Sequence, residues 1–225
     1  MAAQPSLIER LDEAARAMGQ ALDAAQLQAL LDYMAQMQRW NKAYNLTALR
    51  SDEQILVQHL FDSLSVVGPI RAALGARGAA DALIVDVGSG AGLPGVVLAI
   101  ACPRWQVHCI DAVEKKTAFV RQVSGMLRLP NLHAAHARVE KLEPIQADIV
   151  VSRAFASLAD FAVLAGRHAA DGASLLAMKG HDPQDEQQAL AQSTDWRVAR
   201  VEPLTVPELN AQRCLVWLTR AQGNP

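Results

Sequence analysis

Asp86, Gly88, Gly90 and Gly92 stand at alternate positions in the run IVDVGSGAGLPG. Glycines so spaced permit positive φ and let a ligand lie close to the backbone. A dinucleotide loop asks for G-x-G-x-x-G/A, with a small third residue and a pyrophosphate on the following helix. Counted from Gly88 and Gly90, that third position is Leu93, which is bulky. The spacing is instead D-x-G-x-G-x-G, with Ser89 inside it. A second carboxylate, Asp111, ends the next apolar run, WQVHCID. In an open α/β sheet that position faces the ligand crevice, where a carboxylate can meet a ribose.

Other groupings promise less chemistry. His59, Asp62 and Ser63 share one helix face at i, i+3 and i+4. Helix neighbours lack nucleophile–base geometry, so a polar network tying N-terminal helices to a sheet is expected there instead. His133 and His136 are three apart on a strand and point to opposite faces, so no metal site is expected. His108 and His168 read as ordinary interior or surface residues. Cys102, Cys109 and Cys214 are an odd number without a C-x-x-C pair, which favours free thiols and a reducing compartment.

The elements that must position these residues follow from periodicity. The first 80 residues read as helical. Asp23 with Gln26 caps a stripe of Leu27, Leu30, Leu31, Met34 and Met37, and Ser51 with Gln54 opens a helix running to Gly68-Pro69. Residues 71–80 read as a connector. From 81 onward, strands at 82–87, 105–111, 131–137, 147–154 and 173–180 alternate with helices at 93–101, 114–129 and 157–170. A short polar helix near 183–192 and strands near 196–201 and 213–220 close the chain. The expectation is an α/β fold, a doubly wound, mostly parallel seven-stranded Rossmann-like sheet, preceded by a helical extension. The division is 1–80 and 81–225, packed as one unit. The last two strands lack a helix between them, so an antiparallel edge strand is expected.

The 225 residues are 51% hydrophobic but only 4% aromatic, so Ala, Leu, Val and Ile must build the core. No apolar stretch spans a bilayer, and the N-terminus lacks a signal-peptide core. A cytoplasmic protein without membrane contact is expected. The formal net charge is −2, which excludes holding nucleic acid by bulk electrostatics. The positive charge is local: residues 104–153 carry 8 basic and 5 acidic residues, and this segment is the positive one.

The glycine loop with Asp86 and Asp111 resembles the first motif of class I S-adenosylmethionine-dependent methyltransferases. Further segments extend the resemblance: WNKAYNLTAL (40–49), HLFDSL (59–64), IDAVEKKTAFV (110–120), ARVE (137–140), VSRAFASL (151–158), AMKG (177–180) and QRCLVWL (212–218). In this order the chain resembles the small-subunit (16S) ribosomal RNA methyltransferase G family, also known as glucose-inhibited division protein B. The resemblance implies S-adenosylmethionine as cofactor and methylation of N7 of a guanosine in the decoding region of 16S rRNA. It implies cofactor contacts at Gly88, Leu93, Val139, Glu140 and Arg153. It also implies RNA contacts at Lys115, Lys116, Arg138, Lys179 and Arg213, with 16S rRNA or the small subunit as partner. A monomer is expected separately, because no spare apolar surface is obvious in the sequence. One departure is Cys214, where the family usually has His.

The implied chemistry suits the residues. Guanine N7 has a lone pair and no proton to lose, so methyl transfer needs alignment and desolvation and no general base. Arg153 and Lys179 are therefore expected to position substrate through O6 or phosphate. The segment VSRAFAS contains no Asn-Pro-Pro-Tyr type motif, and Cys102-Pro103 reverses the Pro-Cys order of a nucleophilic cysteine. A methyltransferase of small molecules or proteins would want an aromatic-rich lid, for which little material exists. A non-catalytic rRNA-binding module would not need Asp111 beside a complete glycine loop.

Overall fold

The computed structural model describes residues 5–78 and 81–221. Seven strands form one sheet in the order β3-β2-β1-β4-β5-β7-β6. They are β1 (Leu83–Val87), β2 (Gln106–Asp111), β3 (Leu132–His136), β4 (Ala147–Ser152), β5 (Ala169–Lys179), β6 (Trp196–Pro203) and β7 (Cys214–Arg220). β1 to β5 are parallel, which places the ends of β1, β2, β4 and β5 on one edge. Chain reversal falls between β1 and β4, where an open α/β sheet binds its ligand.

The sheet is buried on both faces because successive side chains alternate between two cores. Ile84, Val107, Cys109, Ile149, Val151, Leu176 and Trp217 face one layer. Val85, Ile110, Val150, Leu175, Val216 and Leu218 face the other. Against the first layer pack α6 (Gly95–Ala101), α7 (Glu114–Met126) and the N-terminal helices α1 (Leu7–Ala17) and α2 (Ala24–Tyr44). The second layer is covered by α8 (Leu158–Ala165) and α9 (Gln187–Ser193). The N-terminal helices thus share a core with the sheet. The Tyr33 hydroxyl donates to Ala91 O at 2.6 Å, and the Gln26 amide donates to Ile100 O at 2.8 Å. The 80/81 boundary adjoins residues 79–80, which lie outside the described residues.

Three expectations are corrected. The antiparallel strand is not at the edge: β7 lies between β5 and β6 and runs opposite to both. Residues 214–218 of β7 are all buried, whereas β6 alternates with exposed charges and suits an edge. The helix opened by Ser51 is not continuous. It divides into α3 (Asp52–Ile55), a π-helical turn (Leu56–Phe61) and α4 (Asp62–Leu64). Nor does the chain stop being helical at Gly68-Pro69. Pro69 falls in the first turn of α5 (Val67–Gly78), where a missing N–H costs no intrahelical bond.

Candidate active site

The glycine loop follows β1 and is tied to the end of β2. The N–H groups of Gly88 and Ser89 donate to Ile110 O at 2.8 and 3.2 Å. Gly88 has φ +69°, and a Cβ there would sit 2.8 Å from the Ala154 Cβ, so a side chain has no room between β1 and the loop after β4. Asp111 holds the loop from the β2 side. One carboxylate oxygen accepts from Gly90 N at 2.9 Å, the other from Val113 N at 2.8 Å. The Lys116 ammonium lies 3.9 Å away.

Asp86 lies beneath the loop, fully buried. Its Oδ2 accepts from Gly95 N at 2.8 Å, fixing the start of α6. Its Oδ1 has no partner among the described residues. Burial pushes this carboxyl up to about 7, although the Gly95 hydrogen bond and the Arg153 charge pull it down. Asp86 shapes the loop and lines none of the clefts described next.

Three clefts run in a row along the carboxyl edge of the strands. The first, of about 200 Å³, is bounded by Gly88, Asp111, Arg138, Val139, Glu140 and Phe155 among others. The second, of about 160 Å³, includes Leu46, Thr47, His59, Gly88, Ser89, Gly90, Leu93 and Arg153. The third, of about 470 Å³, includes Thr47, Gln58, His59, Asp62, Arg153, Lys179 and Arg213. Gly88 joins the first to the second. Thr47, His59 and Arg153 join the second to the third.

Arg153 is the centre of a partly buried ionic network. Its Nη1 donates to Asp62 Oδ2 at 3.0 Å and to Gln58 O at 3.2 Å. Its Nη2 donates to His59 Nδ1 at 3.2 Å. Nδ1 also lies 3.0 Å from Gln58 O, so one ring nitrogen faces both an arginine donor and a carbonyl acceptor. The other ring nitrogen, Nε2, is hydrogen-bonded to Thr47 Oγ1 at 2.8 Å. Burial, then the Arg153 charge, lowers the His59 pKa to about 4, so the ring is neutral at pH 7. Asp62 is almost wholly buried, and its second oxygen accepts from Arg213 Nε at 2.9 Å. His59 and Asp62 thus belong to a polar network linking helix and sheet, the π turn placing Gln58 and His59 against Arg153, whereas the buried Ser63 Oγ has no partner among the described residues and takes no part in it.

The remaining expected residues divide into two groups. Lys115, Lys116, Arg138, Val139 and Glu140 lie on the Asp111 side, with Arg138 3.8 Å from Glu140. Lys179 and Arg213 line the third cleft. The Lys179 ammonium is held by Ala156 O and Glu186 Oε1, both at 2.9 Å. Gly92 packs against Val96 and Val120 from beneath the loop. Cys214 donates its thiol to His181 O at 3.2 Å. Leu46, Thr47 and Gln58 were not anticipated as site residues. The signal available for Leu46 and Thr47 was WNKAYNLTAL, a polar run interrupting a helical stripe, whereas Gln58 lies outside it.

A mostly parallel seven-stranded sheet, a glycine loop open to a ligand and a carboxylate ending β2 define a class I S-adenosylmethionine-dependent methyltransferase. The fold is similar to a SAM dependent methyltransferase from Aquifex aeolicus, with TM-score 0.55 and 18% identity, covering 77% of this chain and 96% of that one. The model of the rRNA small subunit methyltransferase G family matches residues 26–216. "Ribosomal RNA small subunit methyltransferase G" of Bordetella pertussis is 62% identical over 217 residues, covering 96% of this chain and 94% of its own. The protein of the same name from Methylibium petroleiphilum is 48% identical over 215 residues, covering 96% and 95%. The chain belongs to the rRNA small subunit methyltransferase G family. That family's reaction is S-adenosylmethionine-dependent methylation of guanine N7 in small-subunit rRNA.

Proposed function

We propose that the three clefts divide the labour of methylating one guanosine in the decoding region of 16S rRNA. The observation that carries this reading is the pair of guanidiniums, Arg153 and Arg213, anchored on the two oxygens of Asp62 where the second and third clefts meet. S-adenosylmethionine supplies an electrophilic methyl group on a sulfonium, so its acceptor requires alignment rather than a base.

Asp111 takes the ribose hydroxyls, while Val139 and Glu140 bound the adenine side. The backbone at Gly88, Ser89 and Gly90, with Leu93, carries the amino-acid tail. Asp86 and Gly92 shape this loop from below. Guanine presents N7 and O6 as neighbouring acceptors on one edge. A guanidinium taking both would block the reacting lone pair. Asp62, Gln58 and His59 occupy much of the Arg153 fork, and Asp62 fixes Arg213 through Nε. Arg153 and Arg213 then engage O6 or phosphate and leave N7 free. A neutral His59 adds no further positive charge beside the sulfonium. Lys179 positions the segment after β4 through Ala156.

Among the described residues no helix is long and apolar enough to cross a membrane. We read the chain as a cytoplasmic monomer in which the N-terminal helices belong to the catalytic unit. The test uses labelled S-adenosylmethionine with small subunits lacking the modification. The product expected is 7-methylguanosine at one position, located by chemical cleavage. Label in a ribosomal protein would overturn the reading.

A further inference from the structure

A fourth concavity, of about 520 Å³, lies beside the third cleft and has no part in the roles proposed for the other three. Arg39, Lys42 and Arg50 line it together with Ala35, Gln38 and Asn41, and no acidic residue does. All three cations are exposed. Among the described residues neither Arg39 nor Lys42 makes an ion pair or side-chain hydrogen bond. They stand at i and i+3 on α2, where like charges repel. An anion in the groove would offset that repulsion.

Arg50 is fixed at the opposite wall, its Nη2 donating to Asn45 Oδ1 at 3.1 Å and its Nη1 to Asn41 O at 3.4 Å. Buried Asn41 holds the loop between. Its Oδ1 accepts from Thr47 N and its Nδ2 donates to Leu49 O, both at 3.0 Å. The other side of this loop, Thr47 to Leu49, lines the third cleft. One loop therefore separates the groove from the site proposed for the guanosine.

We infer that the Arg39–Lys42–Arg50 groove binds the phosphodiester backbone of the rRNA strand flanking the methylated guanosine. The inference rests on small-subunit rRNA being the substrate. A strand with one base in the third cleft must carry its next phosphates over the rim, and the 45–50 loop is a rim with cations behind it. Lys115, Lys116 and Arg138 lie on the other side, beside the Asp111 cleft, so the substrate is gripped on two sides of the reacting base. Counting charge by segment conceals this groove, because residues 1–80 carry 7 basic against 8 acidic residues. Folding gathers three of those seven cations into one place.

The test is the double variant Arg39→Gln/Lys42→Gln in the full chain, with small subunits lacking the modification as substrate. Removing two phosphate contacts should lower the slope of log affinity against log salt by about 1.5 and raise KM for the subunit roughly tenfold at physiological salt. The kcat and the dissociation constant for S-adenosylmethionine should stay within about twofold of the parent. The charge-conserving variant Arg39→Lys/Lys42→Arg should retain the parent salt slope, which separates charge from folding. If the parent methylates rRNA and the double Gln variant keeps its KM and slope, the groove is not the phosphate site. If the parent itself leaves rRNA unmethylated, the substrate reading fails and the groove assignment falls with it.

Discussion

The Asp62 carboxylate lies 3.0 Å from Nη1 of Arg153 although 91 residues separate them in the chain. Asp62 comes from the segment after the π turn, and Arg153 from the first position beyond β4. Arg213 reaches the other oxygen of Asp62 from the start of β7. One buried carboxylate thus fastens the N-terminal helices, the centre of the sheet and the inserted antiparallel strand at one point. Two guanidiniums against one carboxylate leave a single net positive charge facing the third cleft.

Replacing Asp62 by Asn keeps the shape and removes the charge that orients both arginines. Loss of one partner from a buried ion pair costs about 3–5 kcal/mol. Both arginines remain a quarter exposed, so about 2 kcal/mol is expected here. Misplacing a positioning group costs roughly a hundredfold in rate. Single-turnover methylation at saturating S-adenosylmethionine should show that loss, and urea midpoints the stability change. Methylation at the parent rate would remove Asp62 from the positioning role.

Arg153→Lys should fail for a related reason. A lysine ammonium cannot reproduce a planar fork that donates to Asp62, Gln58 O and His59 Nδ1 at once. The expected loss in kcat/KM is roughly tenfold or more, since each lost charge-assisted hydrogen bond is worth about 1.5–3 kcal/mol before water replaces it. Steady-state kinetics with rRNA varied at fixed cofactor decides the point, and parent kinetics for the lysine variant would refute the fork argument.

Asp111 tests the other end of the row. Its oxygens accept from Gly90 N and Val113 N, so Asp111→Asn retains at most one acceptor for two backbone donors. The loop should loosen and the ribose should lose a charged acceptor. A rise of about 10- to 100-fold in the S-adenosylmethionine dissociation constant is expected, equivalent to one charge-assisted hydrogen bond. Calorimetry without RNA isolates this effect from substrate binding. An unchanged constant would place the ribose elsewhere.

The parts of this arrangement legible in the sequence were those that obey a local period. ALIVDV announces a strand buried on both faces, and the spacing of Gly88, Gly90 and Gly92 separates this loop from a pyrophosphate binder. What escaped was set by contacts distant in the chain. The position of β7 depends on its pairing with both β5 and β6, and an apolar run carries no record of its neighbours. The π turn keeps helical composition, so periodicity alone passes over it. The D-x-G-x-G-x-G spacing marks Asp86 but not its direction, and its side chain turns inward to accept from Gly95 N. His59 and Asp62 were recognisable as polar residues on an apolar helix face, whereas their partners lie on β4 and β7.

Buried Asp86 also predicts an unusual response to pH. Its carboxyl stands at about 7 in the folded protein and about 4 in an unfolded chain. Between those values the folded state keeps a proton that the unfolded chain has released, so this group lowers stability as pH rises from about 4 to 7. His59 acts in the opposite sense. Its ring is held at about 4 when folded and returns to about 6.5 when unfolded, so its contribution is lost as pH falls through that interval. The two slopes oppose one another in the parent. Asp86→Asn removes the first and can retain an amide oxygen for Gly95 N–H. The stability of this variant relative to the parent should therefore improve between pH 5 and pH 8, by on the order of 2 kcal/mol. Urea midpoints of both proteins at pH 5, 6.5 and 8 measure the difference, and a constant offset across that range would show that the Asp86 carboxyl is not raised.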